Sequence, residues 1–504
     1  MPNVDFHLPE IRAYMPMYQL INDCVAGSIA VKGKGVKYLP KPAPADLSKE
    51  NGLRYDQYRE RAVFYNVTRR TLGGLVGQMF DQEPIIKLPE ALKVLETDAT
   101  GTGIGIVGLA KGLARSVVSK GRGGLFVDYP DAAEATTLQE LEENGVRPTI
   151  NYYKPEQIIN WRVEARGAEE VTTLVVLKEP YVIKDDGFEQ VKRTQWRVLK
   201  LTGLRGTDGQ LTGKSAYSCE IWRDNRTAPW KTFNPTDAAG NPLNDIPFKF
   251  VGAENNDPDI DEPPMFDLAD LNVAHYRNSA DYEETCYVVG QPTLVLAGLT
   301  AEWYKDVLGG RVDFGSRGGV PLPVGATAEL LQVQENTMAF EGMGHKERQM
   351  VALGAKLVEQ KQVQRTATEA GIDANNETST LVSSAENVSA AMTWAIEVAG
   401  QYAGTTGGEF TLNTEYELNT LSPGEQKEVI ATWQAGAISW TEMRTRLRHG
   451  GLATQDDKTA KKEIDEEMEA QATADAETLA TQTDETIRAA EAAAVAKAAN
   501  TPTP

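Results

Sequence analysis

The sequence predicts an α+β fold in which helical segments surround a β-rich middle, and three observations carry that expectation. Between Pro148 and Phe250 apolar and polar residues alternate in short runs separated by Gly/Asp turns, the period-two signature of strands. Two stretches, 264–287 and 337–361, keep three-four spacing and flank the Gly-rich segment 288–336; each is about 25 residues, on the order of 37 Å as a helix. A further stretch sets Leu381, Ala385, Val388, Met392, Ala395, Ala399 and Tyr402 on one helical face.

Residues 1–85 read as helical. Tyr58, Ala62, Tyr65, Arg69, Leu72, Val76 and Met79 keep one three-four rhythm through RAVFYNVTRRTLGGLVGQMF. The turn TGTGIG leads into a helix over roughly Ile106 to Ser119, which Gly121 closes where left-handed geometry is needed. LFVDYP follows as a short buried strand stopped by Pro130. The strands of the middle are VTTLVVLKEPYVI, TQWRVLKL and AYSCEIWRD.

An acidic, Pro-bounded linker then enters the first long helix. Leu268, Leu271, His275, Asn278, Tyr282, Cys286 and Val289 form a semi-apolar stripe, and Asp267, Asp270, Ala274, Arg277, Asp281 and Glu284 form a mostly acidic one. The pattern predicts a helix that packs beside copies of itself and turns Asp267, Asp270, Asp281 and Glu284 toward something it must not stick to. Equal long helices flanking a compact module predict an antiparallel pair with the module at its tip. That module carries a short helix near Glu302–Val307, with Trp303 as local core and Tyr304, Arg311 and Arg317 as candidate partner contacts. Beyond the second long helix, Lys361, Gln362, Gln364, Arg365, Thr366 and Thr368 fall in a polar stretch without helical periodicity. Two capping boxes, Ser422 with Glu425 and Ser439 with Glu442, start two successive helices separated by Gly436. Pro423 takes the favoured first position of the earlier one. Past Gly451 the composition turns to Ala, Thr and Glu, either a self-associating helix or a disordered acidic end.

The 504 residues are enough for about three domains. A net charge of −21 excludes a surface that clamps nucleic acid by neutralising phosphate, while leaving room for one past which DNA slides. Three cysteines without CxxC spacing predict neither disulfide framework nor zinc site. No signal peptide and no spanning helix are expected, which predicts a soluble chain made in a reducing cytoplasm.

The patterns that imitate chemistry fail on spacing. GTDGQLTGKS ends in Gly-Lys-Ser, yet Asp208 stands where a phosphate loop needs its first glycine, and a strand follows in place of a helix. Asp257, Asp259 and Asp261 alternate like a calcium loop, but Glu262 and Leu268 occupy its glycine and bidentate positions. His7, His275, His345 and His449 are scattered, and no serine or cysteine has a nucleophile-elbow context. No catalytic constellation is found, so neither an enzyme nor a cofactor is expected.

Several segments in order, VKYLPKP, YDQYRERAVFYNVTRRTLGGLVGQMF, GRGGLFVDYP, INYYKPEQIINWR, DLADLNVAHYRNSADYEETCYVVGQPTLVLAGL, LGAKLVEQKQVQRTATEA and WQAGAISWTEMRTRL, resemble the portal proteins of tailed bacteriophages. The resemblance implies a portal-type fold. Its parts would be a helical and β wing (1–263 and 381–420), a two-helix stem (264–287 and 337–361), a small α/β clip (288–336), a channel loop (362–380), a helical crown (421–454) and an acidic tail (455–504). It further implies a ring of twelve subunits at one capsid vertex of a virion, assembled in the bacterial host cytoplasm. Double-stranded DNA would pass through the centre. The partners would be the terminase large subunit, the major capsid and scaffolding proteins, and head-completion or tail adaptor proteins, with no membrane. Lys361, Gln362, Gln364, Arg365, Thr366 and Thr368 would form the DNA-channel loop. The competing readings are a nucleotide-dependent packaging enzyme and another multimeric virion protein, such as a scaffold or tail adaptor.

Overall fold

The computed structural model describes residues 3–129, 146–205, 211–223, 228–290, 293–312, 319–331, 337–357, 379–414, 423–449 and 459–468, with residues 473, 488, 489 and 492. Lys361, Gln362, Gln364, Arg365, Thr366, Thr368 and Arg317 lie outside them. The chain divides into two units, Met1–Thr414 and Glu415–Pro504.

Helices α1 (Pro9–Ala26), α2 (Ser28–Gly33), α3 (Lys49–Arg61) and α4 (Val67–Met79) open the first unit. The single rhythm expected across 58–79 is broken between α3 and α4. Asn66 is the reason: its side chain accepts the Arg69 amide at 2.9 Å and starts a new helix. Ala62 and Phe64, both buried, lie in the extended link between them. The three-four pattern is thus two helices in near-phase, joined by a segment whose alternating side chains point inward.

Strand β1 (Ile85–Lys87) and a short helix α5 (Val94–Thr97) lead to α6 (Ile106–Lys120). Gly121 ends α6 at φ +70° with its amide bonded to the Val117 carbonyl, as the sequence predicts. The next strand, β2 (Arg122–Asp128), is central to a three-stranded antiparallel sheet between β3 (Thr149–Tyr153) and β9 (Phe248–Gly252). The period-two middle forms a five-stranded antiparallel meander: β4 (Ile158–Arg166), β5 (Glu169–Asp185), β6 (Gln190–Arg205), β7 (Leu211–Trp222) and β8 (Lys231–Phe233). Ile159, Val176, Trp196, Val198 and Trp222 make its apolar core.

Three helices follow: α7 (Phe266–Val289), the short α8 (Ala301–Asp306) and α9 (Met338–Lys356), with β10 (Thr293–Ala297) and β11 (Thr327–Leu331) between α7 and α9. Then α10 (Thr380–Ala403) packs on α6, β2 and β9, burying the whole face from Leu381 to Tyr402 that the spacing predicts. Ser379 caps its start by accepting the Val382 amide at 3.2 Å. Strand β12 (Glu409–Thr411) returns to pair with β1.

In the second unit, α11 (Pro423–Gln434) and α12 (Trp440–His449) are separated at Gly436, whose φ is +76°. The Ser439–Glu442 box closes in both directions, at 3.1 and 3.4 Å. Ser422, of the other box, lies outside the described residues, and 459–468 is helical.

One buried cation fixes how the sheet meets α7. Arg122 is 1% exposed and lies between the rings of Trp161 and Phe250, 4.5 and 4.4 Å from their centroids. Its Nη1 donates to the Asp259 carbonyl and its Nη2 to the Pro258 carbonyl at 2.9 Å. Burial pushes the guanidinium pKa down to about 10, while the linker carboxylates Asp257, Asp259 and Asp261 oppose the shift. The alternating aspartates thus serve a buried arginine. Asp261 also accepts the Glu254 amide at 2.8 Å, and among the described residues no acid, histidine or cysteine cluster fits a metal ion.

Candidate functional site: the α7–α9 helix pair and the module between its ends

Helix α7 has more faces than its sequence suggests. Ala269, Val273, Tyr276 and Ala280 enter the core built from Ile21, Cys24, Tyr38, Tyr55 and Tyr58 of the N-terminal helices, with Phe64 edge-on to Tyr276 at 6.0 Å. The expectation that this helix packs beside copies of itself is therefore corrected in part: one side is buried by its own chain, and Leu268 and His275 of the stripe counted in the sequence are buried with it.

Two polar residues on that side, Asn272 and Ser279, are almost fully buried and bond the extended link 62–66 and the first turn of α4. Asn272 Nδ2 donates to the Tyr65 carbonyl at 2.7 Å, and its Oδ1 accepts from the Thr68 amide and hydroxyl. The Ser279 hydroxyl accepts the Val63 amide at 3.0 Å and lies 2.7 Å from the Val63 carbonyl. An extended segment has no ladder of its own against a helix, so these side chains take the place of a partner strand.

A second face meets α9. His275 Nε2 lies 3.2 Å from Glu347, and the Tyr282 and Phe340 rings are 5.7 Å apart. Residues advancing along α7 meet residues receding along α9, so the two helices are antiparallel. Gly342 permits the close approach, since a Cβ there would stand 2.9 Å from Asn278 Nδ2.

The acidic stripe divides. Asp267, Asp270 and Asp281 are exposed. Asp281 accepts from the Tyr58 hydroxyl at 2.6 Å, and Glu284 is bonded by Arg61 and approached by Arg54 at 3.4 Å. Burial and the bonded Asp281 raise the Tyr58 phenol above its ordinary value. Arg61 also covers the Tyr287 ring at 4.2 Å, and Arg277 donates to the Tyr38 carbonyl. Of the four acids, Asp281, although exposed, and the half-buried Glu284 are thus engaged by α3. Tyr58 and Arg61 lie in the segment YDQYRER, whose regular spacing hid that their polar ends reach α7.

Strands β10 and β11 pair antiparallel from Thr293↔Leu331 to Ala297↔Thr327. Thr300 caps α8, accepting the Trp303 amide at 3.2 Å. Trp303 is half-buried, with Nε1 donating to the Pro321 carbonyl. Tyr304 is 42% exposed, its hydroxyl donating to the Gly310 carbonyl, and Arg311 is exposed. Exposed apolar side chains occur in the module, at Val324 and Leu330, and along α9, at Met338, Phe340 and Val351.

The Gly-Lys-Ser tripeptide that imitates a phosphate loop lies within strand β7, where Ser215 pairs with Gly203 of β6. Asp128, at the end of β2, is ion-paired with Arg197 at 2.9 Å. Neither has the helix N-terminus that phosphate binding needs.

Residues 264–403 match a family model described as a domain of unknown function, DUF4055. The matched region runs from the start of α7, through the module and α9, to the end of α10. No curated protein matches the chain. Among solved structures it is similar to a chain in the neck of an empty gene transfer agent particle, at 15% identity over 76% of this chain and 90% of that one, with a TM-score of 0.40. It is also similar to a chain of the native gene transfer agent virion, at 14% identity over 84% and 98%, with a TM-score of 0.41. A third likeness is to the neck of the native particle, at 15% identity over 76% and 89%, with a TM-score of 0.36. These are distant likenesses.

Proposed function

We propose that this chain is a subunit of a portal-type ring at one capsid vertex, a channel through which double-stranded DNA is packaged by a terminase motor, retained and ejected. The observation that carries the reading is the α7–α9 pair with its intervening module. One side of α7 is anchored in the chain's own helical core, while Val351 on α9, 71% exposed, stays open to solvent, as do Val324 and Leu330 in the module. Large exposed apolar groups concentrated in one region mark an interaction surface, and copies of the same pair side by side would close it. The ordered resemblance of motifs across the sequence supports the ring as the form that this association takes.

In that ring the chain performs no catalysis. Asp267 and Asp270, repeated around the assembly on a chain of net charge −21, would repel phosphate and keep DNA from adhering. The range is short, about 8 Å at physiological salt, so the effect acts only near the wall. Lys361, Gln362, Gln364, Arg365, Thr366 and Thr368 are proposed as weak, sequence-independent DNA contacts. Tyr304, Arg311 and Arg317 are proposed to meet the motor and the head-completion or tail proteins. Major capsid and scaffolding proteins would surround the ring.

Light scattering and negative-stain images of the purified chain test the reading. A broad ring tapering to a narrow end is expected, and a persistent monomer at all concentrations would sink it.

A further inference from the structure

The β5–β6 hairpin outruns its sheet. Strand β4 covers β5 only as far as Leu177, and β7 covers β6 only from Trp196 onward. Between those limits the two strands pair only with each other, from Glu179↔Gln195 to Asp185↔Gln190. Every residue from Val182 to Arg193 is exposed. A lone two-stranded arm in water is marginal, yet this one ends in apolar residues: Phe188 is 103% exposed, Val182 45% and Ile183 40%. Its turn is built to present Phe188. Asp186 accepts the amides of Phe188 and Glu189 at 3.0 and 2.7 Å, Asp185 accepts that of Gly187, and Gly187 takes φ +90°. The outermost turn holds three carboxylates, Asp185, Asp186 and Glu189, with the bases Lys184, Lys192 and Arg193 behind it.

The same chain carries a complementary surface. Ile29 is 92% exposed, Leu47 90%, and Val36 and Leu53 58% each. Residues 28–50 contain five lysines (Lys32, Lys34, Lys37, Lys41, Lys49) against Asp46 and Glu50, within a chain of net charge −21. The segment is stitched onto α3: Tyr55 donates to the Leu39 carbonyl at 2.8 Å, and Asn51 to the Ala43 and Asp46 carbonyls. Residues 39–46 are thereby folded back on α3, with the four apolar side chains and the lysines in the same stretch of chain, Lys32 bonded to the Glu60 carbonyl and Lys34 paired with Asp23.

We propose that the β5–β6 tip of one copy seats on the 28–53 surface of the next copy, with Phe188 among the exposed aliphatic side chains and the tip carboxylates against the lysines. Both halves of the contact are on this chain, they are different surfaces, and the outermost turn of the hairpin is acidic where the 28–50 segment is basic. A contact between unlike patches is head-to-tail and propagates from copy to copy, closing into a ring when the rotation permits. The inference rests on the reading that copies of the chain associate.

The experiment uses the full chain with Cys286→Ser, which removes the exposed thiol. Phe188→Cys is mixed with Ile29→Cys, Val36→Cys, Leu47→Cys or Leu53→Cys, each in turn, and a short bismaleimide is added. Crosslinked dimers are expected in at least one mixture and in neither variant alone. In parallel, Phe188→Asp is expected to raise the concentration for half-assembly about tenfold or more, while the monomer keeps its circular dichroism. If no mixture crosslinks and Phe188→Asp assembles like the unmodified chain, this contact is overturned while the ring reading stands. If the unmodified chain never assembles, both fall together.

Discussion

Asn272 Oδ1 accepts from both the amide of Thr68, at 3.2 Å, and the Thr68 hydroxyl, at 2.9 Å, although 204 residues separate the two in the chain. The same amide group donates to the Tyr65 carbonyl. One side chain on α7 thus satisfies a first-turn amide of α4 and a carbonyl of the link before it. Asn272→Leu is expected to strand the buried partners, each costing about 1–3 kcal/mol. Urea unfolding should show a loss of at least about 2 kcal/mol, and an unchanged midpoint would remove Asn272 from this role.

Arg122→Lys keeps the charge but loses the planar group between Trp161 and Phe250 and one of two carbonyl bonds. The expected cost is about 2–4 kcal/mol. Hydrogen exchange should report it first in residues 254–265, where the bonded carbonyls lie. Equal protection in both proteins would mean that the linker is held by something else.

Val351→Asp places a charge on α9 where the side chain is 71% exposed. Stability of the monomer should change by less than about 1 kcal/mol, as for a surface substitution. Ring formation should be lost, read by light scattering. Rings of normal size would show that this side of α9 faces solvent in the assembly.

Asp270→Lys tests the exposed half of the acidic stripe, and Glu284→Lys the half engaged by Arg54 and Arg61. Only the first should slow DNA passage in packaging assays, most at low salt. The second should instead lower stability, because it sets a third positive charge beside two arginines. A packaging defect in which both variants match, with no stability difference, would contradict the division of the stripe.

Much of the fold was legible where local pattern and final environment agree. The helix closed by Gly121, the strands through Val175 and Trp196, and the buried face from Leu381 to Tyr402 all follow from spacing alone. The site was less legible, for a physical reason. Asn272, Ser279, Tyr58 and Arg61 are polar, so a hydrophobic count places them at the surface, yet their partners are distant in sequence and invisible to periodicity. The available signal was the row of small residues Ala269 and Ala280 beside Asn272 and Ser279, an interval at which a helix lets another backbone come close. Likewise Asn66 outweighs the rhythm around it, because a capped start satisfies an amide that a continuing helix would have to rebuild.

The seam between Gly121 and the linker has a mechanical consequence. A Cβ at Gly121 would stand 2.7 Å from the Glu262 carbonyl and 2.9 Å from that of Asp261, and the next residue is the arginine that grips Pro258 and Asp259. The end of α6, the start of β2 and the approach to α7 therefore meet as one joint with no slack. A pull along α7 is delivered into the three-stranded sheet as strain, and the helix has no loose tether on which to swivel.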